Sequence, residues 1–461
     1  MKKLSLFCLI LVGLLCVQML PVPAVATSAS QGADTLEALV PLNSEQLEKT
    51  TAKAVILYEL NSDTMVYGWQ PDEKIDPSGM NKIMTALLAI ELGEPETMVT
   101  VTREALKSVG IGAVSAGLKV DEQISLKDLL YCMMVGSAND AAAVIAEHIS
   151  GSQESFVALM NQRAAELGCT GTVFMNANGL SHDEQYTTAR DLAKITYAAL
   201  KQPLFAELFS AVKYTVAATN LSEARELKTT NHMMSKETVR TEFDERVTGG
   251  KTGALSTTDR SLICTAQVGD SRYLSVVMSA KGTVSGHAVT GYGNFSDTEK
   301  YLDFAFENYS VRQLLYAGQV MEQIEVEGGQ NDVVGCAGSD LYSALPVEML
   351  TEDVAVRCIK QPLTAPIKEG QQIGTVEVWY GDKCVGQCSL LAMYDVNEPG
   401  VYDYTLLPTA EETAKRTWIT VLLIGGIALA AVVFLVVLVL FIRRWMIVRQ
   451  IRRRRKLIEE G

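Results

Sequence analysis

The chain is poor in the residues that most often hold metals. It has only four histidines in 461 residues, and none falls in an HxH or HExxH spacing that would put two imidazoles on one ion. Cys384 and Cys388, a closely spaced pair, have no histidine beside them. No metal and no other cofactor is expected. Basic residues are also in deficit, 40 against 54 acidic for a net charge of -14, so nucleic acid is not an expected partner. Low-complexity and disordered-type composition is absent too: 48% of residues are hydrophobic and 20% charged. Such a chain is long enough for two packed domains.

What is present is concentrated first at the two ends. Lys2 and Lys3 precede an apolar run over residues 4–20, and small residues follow at Ala24 and Ala26. That order reads as a secretory signal peptide over 1–26, with a small polar linker over 27–44. Leu15 stands before Cys16 where a lipoprotein would need a small residue. At the other end, residues 417–442 carry no charge, which at 1.5 Å per residue is roughly 39 Å of helix, enough to span a bilayer. Eight Lys/Arg follow within the tail 443–461, which places that tail in the cytoplasm and the rest outside a cell membrane crossed once. Without leader and tail, 30 basic and 52 acidic residues remain, a net charge of -22 on the outer part. Seven of the nine cysteines lie beyond the leader. An odd number cannot all pair internally, and their spacing gives no connectivity.

Between the ends, apolar runs broken at Asn61, Ser62 and Asp63 read as a strand hairpin over 54–69. Helical stretches are expected at 77–92, 126–149, 153–167 and 188–200, strands at 262–267 and 273–280, and a closing helix at 296–309. Strands at both ends of a helical middle define an α+β domain over 45–309 whose sheet joins its two extremities. Short alternating runs at 320–326, 355–358, 373–380 and 387–394 then read as a small all-β module over 310–408.

Two short patterns suggest chemistry. Residues 247–253 read V-T-G-G-K-T-G and lead into a strand. On an edge strand Lys251 and Thr252 would offer a cation and a hydroxyl to a carboxylate, and Gly253 would let a ligand approach the backbone. The bland alternative is an ordinary turn. Residues 130–142 read L-Y-C-M-M-V-G-S-A-N-D-A-A. On a bend between helices, Ser137 and Asn139 could enter one cleft, Ser137 to pass a proton and Asn139 to hold an amide; either could instead simply cap the next helix.

With their surroundings, these patterns resemble the low-molecular-mass penicillin-binding proteins, the serine-type D-alanyl-D-alanine carboxypeptidases. The resemblance spans about residues 45–408 and includes G-L-K at 117–119, S-L-K-D-L-L at 125–130, F-M-N-A-N-G-L at 174–180, T-T-A-R-D-L-A at 187–193 and Thr230-Asn231. It implies a penicillin-binding/β-lactamase-like catalytic domain, an all-β domain after it, and stem peptides ending in D-Ala-D-Ala and β-lactams as ligands. The family's first motif is Pro-Ala-Ser-x-x-Lys-x-Met-Thr, in which the serine attacks and the lysine takes its proton. Here residues 77–85 read P-S-G-M-N-K-I-M-T: Lys82 is present, but Gly79 stands at the nucleophile position.

A glycine has no side-chain nucleophile, which closes the acyl-enzyme route at that position. Ser78 is the remaining candidate, because on a helical wheel residues 78 and 79 fall about 40° and 60° to either side of Lys82. The resemblance also implies an oxyanion site made of the Gly79 and Ala254 N–H groups, which needs no side chain. Gln185 in place of a usual histidine, and Thr258-Asp259 in place of Ala-Gly, read as relaxed selection on the site. Two expectations follow: a non-catalytic homologue that recognises D-Ala-D-Ala ends, or an active carboxypeptidase using Ser78 with Lys82. A β-lactamase is disfavoured, since no deacylating carboxylate is identifiable.

Overall fold

The computed structural model describes residues 50–400 except 111, 238–241, 286–287 and 350–352, together with 42, 43, 45 and 47 and a helix at 410–459. The expected signal peptide and almost all of the linker lie outside the described residues.

Strands β1 (Ala54–Glu59), β2 (Thr64–Trp69), β3 (Val247–Ala254), β4 (Asp259–Val268) and β5 (Ser271–Lys281) form one antiparallel sheet in the order β2-β1-β5-β4-β3. The N-terminal hairpin therefore adds onto a strand from the far end of the domain, with Ala54 opposite Met278 and Glu59 opposite Tyr273. β1 reads A-V-I-L-Y-E and is buried at every position, because each face of the sheet has its own core. Ala54, Ile56 and Tyr58 join Ile263, Leu274 and Val276 beneath the helices. Val55 and Leu57 join Leu262, Tyr273 and Val277 on the opposite face, against Phe295, Tyr301 and Leu302.

Five helices matter for the site: α1 (Asn81–Leu92), α2 (Leu126–Met134), α3 (Asn139–Ser150), α4 (Ala189–Leu200) and α5 (Gly293–Asn308). α1 is buried from Asn81 through Ala89, as an apolar helix at the centre of a domain must be. Starts are set by side-chain caps: the Ser125 hydroxyl accepts from Asp128 N at 3.0 Å and the Thr188 hydroxyl from Asp191 N at 3.1 Å. The structure departs from the expected helix at 77–92 and gives the expected bend within 126–149 its place. The stretch at 77–92 opens with a 3-10 turn, Ser78–Met80, before α1 begins. The stretch at 126–149 breaks between α2 and α3, where Gly136 and Ser137 stand and Ser137 takes a positive φ of 59°.

Beyond α5 the chain is all-β. Strands β6 (Val320–Ile324), β7 (Val333–Ala337), β8 (Val354–Lys360), β9 (Gln372–Tyr380) and β10 (Lys383–Ala392) pair in the order β6-β7-β10-β9-β8, and Tyr309–Leu315 pairs with Leu341–Pro346. The sequence reading found four of these runs and missed β7, whose five residues V-V-G-C-A lack a clear alternation. A buried hydroxyl pair, Thr64 Oγ1 and Ser343 Oγ at 3.1 Å, ties β2 to this part of the chain. The seven described cysteines are free thiols.

Residues 326–332, 364–366 and 396 onward make a separate unit. Glu327 and Thr364 form a bridge there, and Gln330 N donates to Asn397 O at 2.9 Å. Its helix α6 (Ala410–Glu459) contains one segment, Thr417–Trp445, long and apolar enough to cross a membrane, with a mean hydropathy of 3.1.

Candidate functional site

A cleft of about 510 Å³ opens where the start of α1, the bend between α2 and α3, and the edge strand β3 meet. Gly79, Lys82, Ser137, Asn139, Thr252, Gly253 and Ala254 all line it. Motifs separated by up to 175 positions are thus brought to one place.

The stretch F-M-N-A-N-G-L at 174–180 forms one wall because α1 holds it by its backbone. Asn81 Nδ2 donates to Asn176 O at 2.8 Å, Thr85 Oγ1 to Ala177 O at 2.7 Å, and Lys82 Nζ to Asn178 O. Gly179 can only be glycine: its φ is 78°, and a Cβ there would lie 1.9 Å from Ser78 O. Gln185 is part of the same fastening. Its Oε1 accepts from Asn81 Nδ2 at 2.7 Å and from Met175 N at 3.2 Å. The glutamine thus carries a structural load, and so does Asp259, which accepts from Ser279 Oγ at 2.8 Å and pairs with Lys281. Reading these departures as relaxed selection is therefore not supported by their contacts.

The bend puts Ser137 and Asn139 on two different lysines. Lys82 Nζ donates to Asn139 Oδ1 at 2.7 Å, and Lys251 Nζ donates to Ser137 Oγ at 2.9 Å and to Thr252 O at 3.0 Å. Neither Ser137 nor Asn139 caps α3, whose N-cap is Ala138 with no side-chain bond. Thr252 Oγ1 meets Thr230 Oγ1 at 2.5 Å. Asp140, which the motif carries without an assigned task, fastens the loop opposite: its carboxylate accepts from Ser115 Oγ at 2.6 Å, Ala116 N at 2.9 Å and Leu118 N at 3.1 Å.

Both lysines are buried, Lys82 at 2% and Lys251 at 0% exposure. Burial pushes Lys251 down to about 7. Burial, reinforced by the neighbouring Lys251 charge, holds Lys82 well below the ordinary lysine range despite the opposing pull of Asp140. A neutral or easily deprotonated lysine is what a proton acceptor needs.

The position at which the resemblance expects a nucleophile carries no side chain. A Cβ built on Gly79 would point at this machinery, 3.9 Å from Lys82 Nζ, 3.2 Å from Thr252 O and 3.6 Å from Gly253 Cα. Ser78 makes no hydrogen bond to Lys82 and is not among the residues that line the cleft, against the expectation from the helical wheel. The wheel assumes helical backbone, whereas Ser78 has a φ of 47° in the left-handed region, with Asp76 Oδ1 accepting from its N–H at 2.8 Å. Its Oγ lies against Gly253, where a Cβ would come within 2.3 Å, and is buried without a hydrogen-bond partner.

Sequence reasoning missed Arg260, Thr229, His232 and Val114, which also line the cleft. Arg260 had a weak signal as a lone cation on the strand after K-T-G. Thr229 and Val114 arrive through loops and His232 through a short 3-10 turn, His232–Met234, whose course no local pattern encodes.

The profile of the D-alanyl-D-alanine carboxypeptidase family matches residues 42–282, and that of the C-terminal domain of penicillin-binding protein 5 matches 309–398. The chain belongs to the D-alanyl-D-alanine carboxypeptidase family. Among its relatives, D-alanyl-D-alanine carboxypeptidase DacF of Bacillus subtilis is 28% identical over 76% of this chain and 87% of its own length. D-alanyl-D-alanine carboxypeptidase DacC of Escherichia coli is 29% identical over 77% and 88%. The solved penicillin-binding protein 5 of Haemophilus influenzae superposes with a TM-score of 0.64 at 27% identity, over 77% of this chain and all of that one.

Proposed function

We propose that this chain recognises the D-alanyl-D-alanine end of peptidoglycan stem peptides without forming an acyl-enzyme. The observation that carries this reading is the contrast at the start of α1. The position aimed at Lys82 has no side chain, while Lys82 keeps its hydrogen bond to Asn139, and Lys251 its bonds to Ser137 and to the Thr252 carbonyl. A cleft that had simply decayed would have no reason to keep two buried lysines partnered, since each costs desolvation free energy. Thr252, backed by Lys251, would hold the ligand's carboxylate end, Asn139 its amide, and the Gly79 and Ala254 N–H groups its carbonyl oxygen. β-Lactams would occupy the same cleft reversibly.

The placement of the chain belongs to the same proposal. Residues 1–26 act as the signal peptide and 27–44 as the linker. Residues 45–309 and 310–408 are the two outer domains, and 417–442 cross the cell membrane once. The eight basic residues after Ile442 keep the tail 443–461 in the cytoplasm.

The full-length protein in detergent, incubated with a fluorescent penicillin and run on a denaturing gel, is expected to give no band. The same preparation is expected to bind an N-acetylated D-Ala-D-Ala peptide reversibly in calorimetry. A covalent band abolished by Ser78→Ala would overturn the reading and establish the active carboxypeptidase that uses Ser78.

A further inference from the structure

The lysine expected to meet a ligand carboxylate is poorly placed to supply its charge. Lys251 is fully buried, its ammonium is engaged by Ser137 Oγ and Thr252 O, and desolvation weakens its hold on a proton. Lys82 is spent on Asn139 and Asn178 in the same way. A carboxylate leaving water needs a cation that is both charged and reachable.

Arg260 has those properties. It stands on β4 directly across from Ala254 of β3, two residues along from Thr252. It lines the cleft and is half-buried. Its guanidinium is held from two sides: Nε donates to Thr257 O at 3.2 Å, and Cζ lies over the Tyr292 ring, 4.4 Å from its centroid. Tyr292 in turn sits edge-on to Phe295 and His232, at 6.1 and 6.0 Å between centroids. With Nε bonded and Cζ over the ring, the two terminal nitrogens are left, the pair that engages a carboxylate side by side. The side chain is therefore ordered before any ligand arrives, which lowers the entropy cost of binding.

We infer that Arg260 is the residue that selects ligands ending in a free carboxylate, with Thr252 as the hydroxyl beside it and Lys251 as a buried support. This rests on the proposed peptide-binding function and adds to it the group that reads the ligand's charge.

The test compares an N-acetylated D-Ala-D-Ala peptide, as free acid and as C-terminal amide, on the full-length protein in detergent by calorimetry. The native chain is expected to prefer the acid by about tenfold or more. Arg260→Gln is expected to bind both forms with the native affinity for the amide, and Arg260→Lys to retain part of the preference. Native protein that binds acid and amide alike would overturn the inference and leave peptide recognition standing. So would an Arg260→Gln variant that keeps the preference, or one that loses both affinities equally through a loss of shape. Binding of neither peptide by the native protein would overturn both.

Discussion

Gly79 lies outside the left-handed backbone region, so nothing in its conformation demands a glycine. A serine there would need Thr252 O to yield by a few tenths of an ångström, since the Cβ would stand 3.2 Å from it. Lys82, Ser137, Asn139, Lys251 and Gly79 were all legible in the sequence because each sits in a short motif. The direction of Ser78 was not, because a left-handed φ at a non-glycine residue is imposed by surrounding contacts, here Asp76 and the close approach of Gly179. The state of Lys251 was also hidden, since burial is a tertiary property. With its folded value near 7 against 10.5 for a free lysine, the unfolded chain holds a proton that the folded chain lacks between those two values. Stability therefore rises with pH across that window and falls as pH drops toward 7, with a slope of at most about 1.4 kcal/mol per pH unit. Lys251→Met is expected to lower this slope in urea midpoints measured from pH 7 to 10, with the buried Lys82 contributing the remainder in the same direction. An unchanged slope would show that Lys251 keeps its proton in the folded state.

At the scale of elements, the break between α2 and α3 does most to build the cleft. A continuous helix through 126–149 would leave Ser137 and Asn139 about 200° apart around one axis, unable to address two lysines in the same cleft. The periodicity of apolar residues runs through both helices, which is why the sequence suggested one helical stretch with a bend and gave no detail of it. The loop facing the break depends on Asp140, which binds two backbone N–H groups and a hydroxyl there. Asp140→Ala is expected to cost about 2–4 kcal/mol, because Ala116 N and Leu118 N lose a charged acceptor. It should also speed hydrogen exchange selectively at 115–118. Exchange that stays native at those amides would show that the loop holds itself. Gln185 illustrates the opposite difficulty: its sequence looked like a defect, and its contacts show a fastening between α1 and the 174–180 wall.

For the whole molecule, the order of motifs along the chain pointed to the two family domains and the apolar helix, because each has a repeating signal strong enough to survive without tertiary context. The short strands at 309–315, 333–337 and 341–346 carried no such signal and become definite only through their partners. The family's fold is present, and the proposed function adds that one side chain is missing where the chemistry would begin. The direct test of that claim is intact-mass spectrometry of the full-length protein after exposure to penicillin, native beside Gly79→Ser. The account predicts no adduct on the native chain and one penicilloyl adduct on the variant, mapped to residue 79. An adduct on the native chain, or none on a folded Gly79→Ser variant, would contradict it.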